Sequence, residues 1–420
     1  MKILTRYIFR EIMHYFALSL VVFLGILVSI RMLKLITMVI DKGVQFYQIV
    51  QLFVSIIPTF LEVALPMSTL LGVMLAFARL SGDSEIIVIR SSGVSLAKLL
   101  RPVVLFGALM TLISFSISFY FRPWGYNSLA TTLFSIASSN TTSSLDPGVF
   151  NQLGDLTIYS ERVDYETGAL EKVLIDDKRD LAERRVVVAK RGAIESDEKT
   201  RTITLYLKDG HIHSSSKNKY HLTAFQANSL LVDPFANGSQ ANQRDKRTRE
   251  MYLPELSRRR KTYQKALNNE AFANDENNSL SKLTKHIAHA SVEIHRKFAL
   301  PFAALIMALI AMPLGIQPPR AHKTWGASVS VMLGMGVIVI YYGLLSIGTS
   351  LAQSTALPAW LGLWLPNLAL APLAYIGITK ISREEWLSIA TALESVVKTL
   401  PKQLTQRIFK LTRQQVERGK

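Results

Sequence analysis

Two cations and a carboxylate stand where a membrane-crossing segment has least use for charge. Arg31 and Lys34 lie toward the far end of the first long apolar run, and Glu62 lies inside the second. Residues three apart share a helix face, so Arg31 and Lys34 point the same way. Charges at membrane depth are expensive and face a cavity or a partner rather than hydrocarbon. A guanidinium and an ammonium on one face suit phosphate or carboxylate oxygens, which makes Arg31, Lys34 and Glu62 a candidate cavity for an anionic lipid headgroup. Counted along a helix, Glu62 falls about 20 Å from the turn between the two runs, so on antiparallel neighbours it could approach Arg31. The blander readings are a structural Arg31–Glu62 pair, or cations that snorkel to the interface.

A second set sits in the loop Ser81-Gly82-Asp83-Ser84-Glu85-Ile86-Ile87-Val88-Ile89-Arg90-Ser91-Ser92-Gly93. It reads as a short helix: Ser81 or Asp83 can cap its start, Glu85 suits the positive dipole end, and Gly93 can terminate it. Ser95 then caps the next run. With Asp83, Glu85 and Arg90 on its surface, the segment is a candidate coupling helix for a motor protein; the alternative is an amphipathic turn lying on the membrane. His286, His289 and Glu293 share a face at i, i+3 and i+7, which invites a metal, but the spacing is not the zinc-peptidase pattern and the segment reads as solvated. His211 and His213 merely alternate along a strand. No metal or cofactor is expected. The sequence has no Gly-x-x-x-x-Gly-Lys-Ser/Thr loop, no Gly-x-Ser-x-Gly and no His-Glu-x-x-His, so the chain is read as a non-enzyme, with any ATP hydrolysis carried out by a separate protein.

The elements that must position these residues are mostly transmembrane helices. Six apolar stretches reach the ~20 residues needed to cross a bilayer: roughly 12–40, 49–78 (broken by Pro58 and Pro66), 102–121, 298–316, 325–350 and 358–379. Basic residues crowd alternate loops: Lys2, Arg6 and Arg10; Arg79, Arg90, Lys98 and Arg101; Arg320 and Lys323; Lys380 and Arg383. The positive-inside rule therefore puts both termini in the cytoplasm and the long insert between spans three and four outside. The net charge of +17 is read as topology rather than nucleic-acid binding, and the lack of cysteine excludes disulfides and thiol catalysis. The first run lacks a small-residue cleavage site and reads as a retained helix. Within the insert, runs near 156–159, 173–175, 186–189, 201–207 and 221–225 alternate as short strands do, with turns at Thr167-Gly168 and Asp209-Gly210. The resulting division is 1–122 (spans one to three, coupling helix near 81–93), 123–236 (an all-β, jelly-roll-like domain outside), 237–296 (linker and pre-membrane helix), 297–380 (spans four to six) and 381–420 (a basic tail). Small residues in span five, Gly326, Ser330, Gly334 and Gly343, read as packing contacts.

The order and spacing of several short matches resemble a known family, the lipopolysaccharide-export permeases LptF and LptG, also called YjgP/YjgQ. The matches are Pro58 with Leu65-Pro66 and Gly72, Ser84-Glu85-Ile86 followed by Gly93, and Arg122-Pro123-Trp124. Further along come Glu293 with Arg296, Met307-Ala308-Leu309 through Pro313-Leu314, and Pro319-Arg320. They cover nearly the whole chain, and Arg122-Pro123-Trp124 looks more like the LptF kind. The resemblance implies an inner-membrane subunit of an ABC transporter, paired with a second, LptG-like permease around a lipid cavity and driven by an LptB-like ATPase dimer. It also implies an LptC-like anchored jelly-roll partner and a periplasmic bridge that receives the lipopolysaccharide. Glu85 matches the family's ATPase-contacting acid, and Arg31 and Lys34 resemble its cavity cations. The jelly roll would offer an interior groove for acyl chains and open edges for a partner strand. The basic linker 244–261 and the long tail depart from the family pattern. Rival readings are another ABC-type permease that only transmits force to an outside domain, and a membrane receptor. The first would tolerate loss of Arg31 and Lys34; the second would need a larger inside domain.

Overall fold

The computed structural model describes residues 2–40, 46–141, 146–153, 156–164, 168–177, 184–197, 202–216, 219–232, 248–268, 277–316 and 327–382. Linker residues 233–247 and 269–276, and the tail beyond 382, lie outside this set. Contacts divide the chain into two compact units. One comprises Met1–Leu27, Phe60–Phe119 and the described part of Leu253–Lys420; the other comprises Val28–Thr59 and Tyr120–Tyr252.

The first unit is helical. Its elements come from α1 (Lys2–Ile40), α2 (Phe46–Gly82), α3 (Glu85–Ser91), α4 (Leu96–Ser116), α6 (Leu253–Asn268), α7 (Asn277–Gly315), α8 (Ala327–Gln353) and α9 (Ala359–Ser382). Among the described residues, six segments are long and apolar enough to cross a membrane: Ile3–Ile30, Phe46–Gly82, Lys98–Ile136, Leu283–Gly315, Ser330–Gln353 and Ala359–Lys380. Their outer surfaces carry aliphatic side chains such as Val21 (70% exposed) and Val339 (67% exposed), a surface that suits lipid and not water. The protein is a multi-pass helical membrane protein with an inserted β domain.

The core forms around α7, whose alanines Ala299, Ala303, Ala304, Ala308 and Ala311 are fully buried. Small side chains let neighbouring helices approach until Phe77 of α2, Val103 and Phe106 of α4 and Ile12 of α1 fill the space. Phe106 meets Phe9 and Phe16 of α1 edge-on, at centroid distances of 5.7 and 5.3 Å. On α9, buried Asn367 accepts from the Tyr341 hydroxyl of α8 at 3.1 Å and donates to the Ala299 carbonyl of α7 at 2.8 Å. Helices α8 and α9 cross at Gly348 and Gly362, each of which occupies the space where the other's Cβ would stand. Gly348→Val is expected to force these helices apart and cost about 1–3 kcal/mol. Thermal unfolding of the purified protein checks this, with Gly343→Ala as the neutral control, since a Cβ at Gly343 meets nothing within 4 Å.

Two helical details differ from expectation. Pro58 and Pro66 do not break α2, which runs unbroken from Phe46 to Gly82. Span three does not stop at Phe121. The helix passes through a π turn, Ile117–Phe121, and continues as α5 (Arg122–Thr141), which is too polar to show an apolar signature in sequence. The helix expected before span four is present, as the first part of α7.

The second unit holds a six-stranded antiparallel sheet, with strands β1 (Phe150–Leu153), β2 (Leu156–Val163), β3 (Ala169–Asp177), β4 (Arg184–Asp197), β5 (Thr202–Ser216) and β6 (Lys219–Val232) adjacent in chain order. One face buries Leu156, Ile158, Ile175, Val187, Leu205 and Leu207, with Phe134 of α5 packed among them. This is the alternation that a one-sided sheet demands. The expected turn at Asp209-Gly210 is not a turn. Both residues lie inside β5, a strand of 15 residues. Asp209 takes φ 55°, and a Cβ at Gly210 would strike the Phe225 ring of β6 and the Val188 carbonyl of β4. Pairing lapses at Asp209 alone and the register is the same on both sides, so the Asp-Gly pair marks a local kink and a close backbone approach within one continuous strand, which sequence cannot distinguish from a hairpin.

Candidate functional site

Two polar clusters lie in the helical unit. The first surrounds α3. The chain leaves α2 through Asp83 and turns at Ser84, the N-cap, which adopts left-handed φ 58° and makes no side-chain cap. Neither Ser81 nor Asp83 occupies the N-cap position. Buried Ile86 anchors the helix, Gly93 (φ 81°) ends it as expected, and Ser95 stands at the N-cap of α4. Glu85 sits in the first turn, where the helix dipole favours a carboxylate, and both its oxygens accept from the Tyr7 hydroxyl, at 3.1 and 2.8 Å. Arg79 of α2 pairs with Glu11 of α1 and, at 3.3 Å, with Asp83. Thus Asp83 and Glu85 are both held against the start of α1, while Arg90 occupies the last turn, where a cation is favoured. Ile87 and Val88 are exposed (43% and 65%) between these charges, so the helix presents an apolar pair flanked by an acid and a base. Tyr7→Phe removes the donor to Glu85, worth about 1 kcal/mol. The expected result is roughly fivefold faster amide exchange in residues 86–89, read by hydrogen-exchange mass spectrometry.

The second cluster is buried. Glu62, Ser118 and Lys297 are fully enclosed. The Ser118 hydroxyl donates to Glu62 Oε1 at 2.8 Å, Lys297 Nζ donates to the Ser118 carbonyl at 3.1 Å, and Arg296 Nη2 lies 3.9 Å from Glu62 Oε2. Ser118 belongs to the π turn; such a turn displaces the regular backbone bonding, and here the Ser118 carbonyl accepts from the Lys297 ammonium. Beside it the Tyr342 hydroxyl donates to the Val63 carbonyl at 2.8 Å. Glu62, Ser118, Arg296 and Lys297 therefore join α2, the π turn after α4, and α7 where its apolar stretch begins. Arg31 and Lys34 lie on α1, but their side chains are outside the described residues.

A model of the lipopolysaccharide export system permease family LptF/LptG matches residues 6–380. The chain belongs to this family. Its relatives include the lipopolysaccharide export system permease protein LptF of Escherichia coli K12, 22% identical over 386 residues, which cover 89% of this chain and 94% of the relative. The LptF of Shigella flexneri matches to the same extent. An uncharacterized protein of Rickettsia prowazekii is 22% identical over 294 residues, 68% of this chain and 74% of the relative.

Within this LptF/LptG-family chain, the structure brings Asp83 and Glu85 together and ties them to Tyr7, Glu11 and Arg79. It gives Glu62 the partners Ser118 and Arg296. Arg296 stood among the family matches, but its pairing with Glu62, and that of Ser118, were not foreseen from sequence. Arg296 and Lys297 precede the apolar stretch that begins at Phe298, and that pair of cations at a membrane boundary was the signal that could have found them. His286 stacks on Tyr263 at 5.4 Å, and among the described residues no group of three His, Cys, Asp or Glu side chains is arranged to hold a metal.

Proposed function

We propose that this chain is the transmembrane permease subunit of an ABC-type exporter that extracts lipopolysaccharide from the inner membrane and passes it through the β domain to a bridge toward the outer membrane. The observation that carries this reading is the family match from residue 6 to 380, spanning both sets of helices and the inserted sheet. A separate ATPase dimer supplies the energy by docking on α3, with Glu85 and Asp83 facing it and Ile87 and Val88 entering its groove. A second permease completes the lipid cavity, to which Arg31 and Lys34 contribute cations for the anionic head. Both termini and α3 lie in the cytoplasm, and the sheet lies in the periplasm, where an anchored jelly-roll partner joins it. The inner face of the sheet is filled by its own side chains, Leu156, Ile158 and Ile175 being at most 1% exposed. An acyl chain using that interior must part the strands from their packing.

Gentle purification of the tagged protein, with mass spectrometry of every co-purifying protein and lipid, tests this directly. Recovery of an ATPase, a second six-span permease and lipopolysaccharide is the expected result. An ATPase without lipopolysaccharide would favour a force-transmitting permease, and neither would return the receptor reading.

A further inference from the structure

The basic run Arg258-Arg259-Arg260-Lys261 has no part in the exporter reading. It falls on α6, which packs along the polar first part of α7. The inward face of α6 is fixed firmly. Leu256 is fully buried, Arg259 Nε donates to the Tyr263 hydroxyl at 3.0 Å with the guanidinium over the ring at 5.5 Å, and Tyr263 stacks on His286 of α7. Arg260 lies within electrostatic reach of His295, further along α7. These two pairings make the helices antiparallel, with the first turns of α6 toward the apolar end of α7. The uncharged stretch of α7 begins at Phe298, one turn past His295. Arg258, Arg260 and Lys261 therefore stand roughly 5–10 Å above the hydrocarbon boundary, the depth of the headgroup layer.

The outward face is cationic. Arg258 and Lys261 are exposed and share a stripe with Lys265 one turn on, and Arg260 is half-buried. Among the described residues no acidic side chain pairs with these four. We propose that α6 is a docking surface for the phosphate headgroups of anionic phospholipid in the leaflet beside it. Juxtamembrane cations draw anionic lipid to a membrane surface, and guanidinium forks match phosphate oxygens. Here they are carried on a rigid helix whose height is set by the Tyr263–His286 stack.

The full chain, reconstituted in nanodiscs, can be irradiated with photoactivatable phosphatidylglycerol or with the zwitterionic phosphatidylcholine analogue, and the labelled peptides mapped. The expected result is labelling of α6 by phosphatidylglycerol at least fivefold above phosphatidylcholine. R258Q/R260Q/K261Q should lower it to the phosphatidylcholine level while labelling of α8 stays unchanged. Salt that shortens the Debye length to about 3 Å should do the same. If the triple variant fails to fold, R258Q and K261Q singly, both at exposed positions, carry the same comparison. Equal labelling by both probes, labelling indifferent to the substitutions, labelling by a lipopolysaccharide probe alone, or cross-linking only to an acidic protein would each overturn the assignment. None of these readouts requires transport, so they stand apart from the exporter reading.

Discussion

Glu85→Lys is expected, on the docking proposed for α3, to abolish growth complementation and strip the ATPase from the purified complex, while the permease itself still folds. The local cost is small. A cation in the first turn of α3 opposes the helix dipole by roughly 0.3–1 kcal/mol, and the bond from Tyr7 is lost. The larger effect falls on docking, where truncating or opposing one partner of a buried interfacial charge pair costs about 2–5 kcal/mol, or roughly 30- to several-thousandfold in affinity. Glu85→Gln keeps an acceptor for Tyr7 and the same shape, so it should fall between wild type and Glu85→Lys. Titration of the ATPase against the solubilised permease, alongside a growth assay, reads both variants. Unchanged ATPase binding and growth in Glu85→Lys would remove α3 from the role of coupling helix.

The largest expected loss of stability comes from Glu62→Leu. The side chain is fully buried, and its removal takes away the carboxylate that Arg296 and the Ser118 hydroxyl face. Breaking a buried ionic network from one side costs about 3–5 kcal/mol, whereas replacing both signs by apolar groups can be nearly neutral. The double variant Glu62→Leu/Arg296→Met should therefore recover a good part of the loss, and thermal unfolding in detergent compares them. A single variant as stable as wild type would mean that the network contributes no net stability.

The helical half of the fold was legible because uninterrupted apolar runs of such length suit hydrocarbon and little else. The β domain was legible as alternation, yet its strands were read too short, because Asp209-Gly210 imitates a hairpin while sitting inside a continuous strand. Helix α5 was missed because Arg122 to Thr141 carries no clear apolar stripe, and its buried residues include polar Arg122 and Thr132 beside Phe134. The place of Glu85 in the first turn of α3 was legible because helix-end chemistry is local. The partners of Glu62 were not, since Ser118 and Arg296 reach it only once α4 and α7 have packed, and pairings so distant along the chain leave no periodic mark in sequence.

Asn367 has a mechanical consequence. Its amide uses opposite ends at once, accepting from α8 and donating to α7, and only one orientation of the group satisfies both. A sliding shear of any of these three helices past another would break a bond between buried groups. The three are thereby pinned like plates on a common rivet, and a hinge that carries α7, α8 and α9 together is the opening that keeps both bonds.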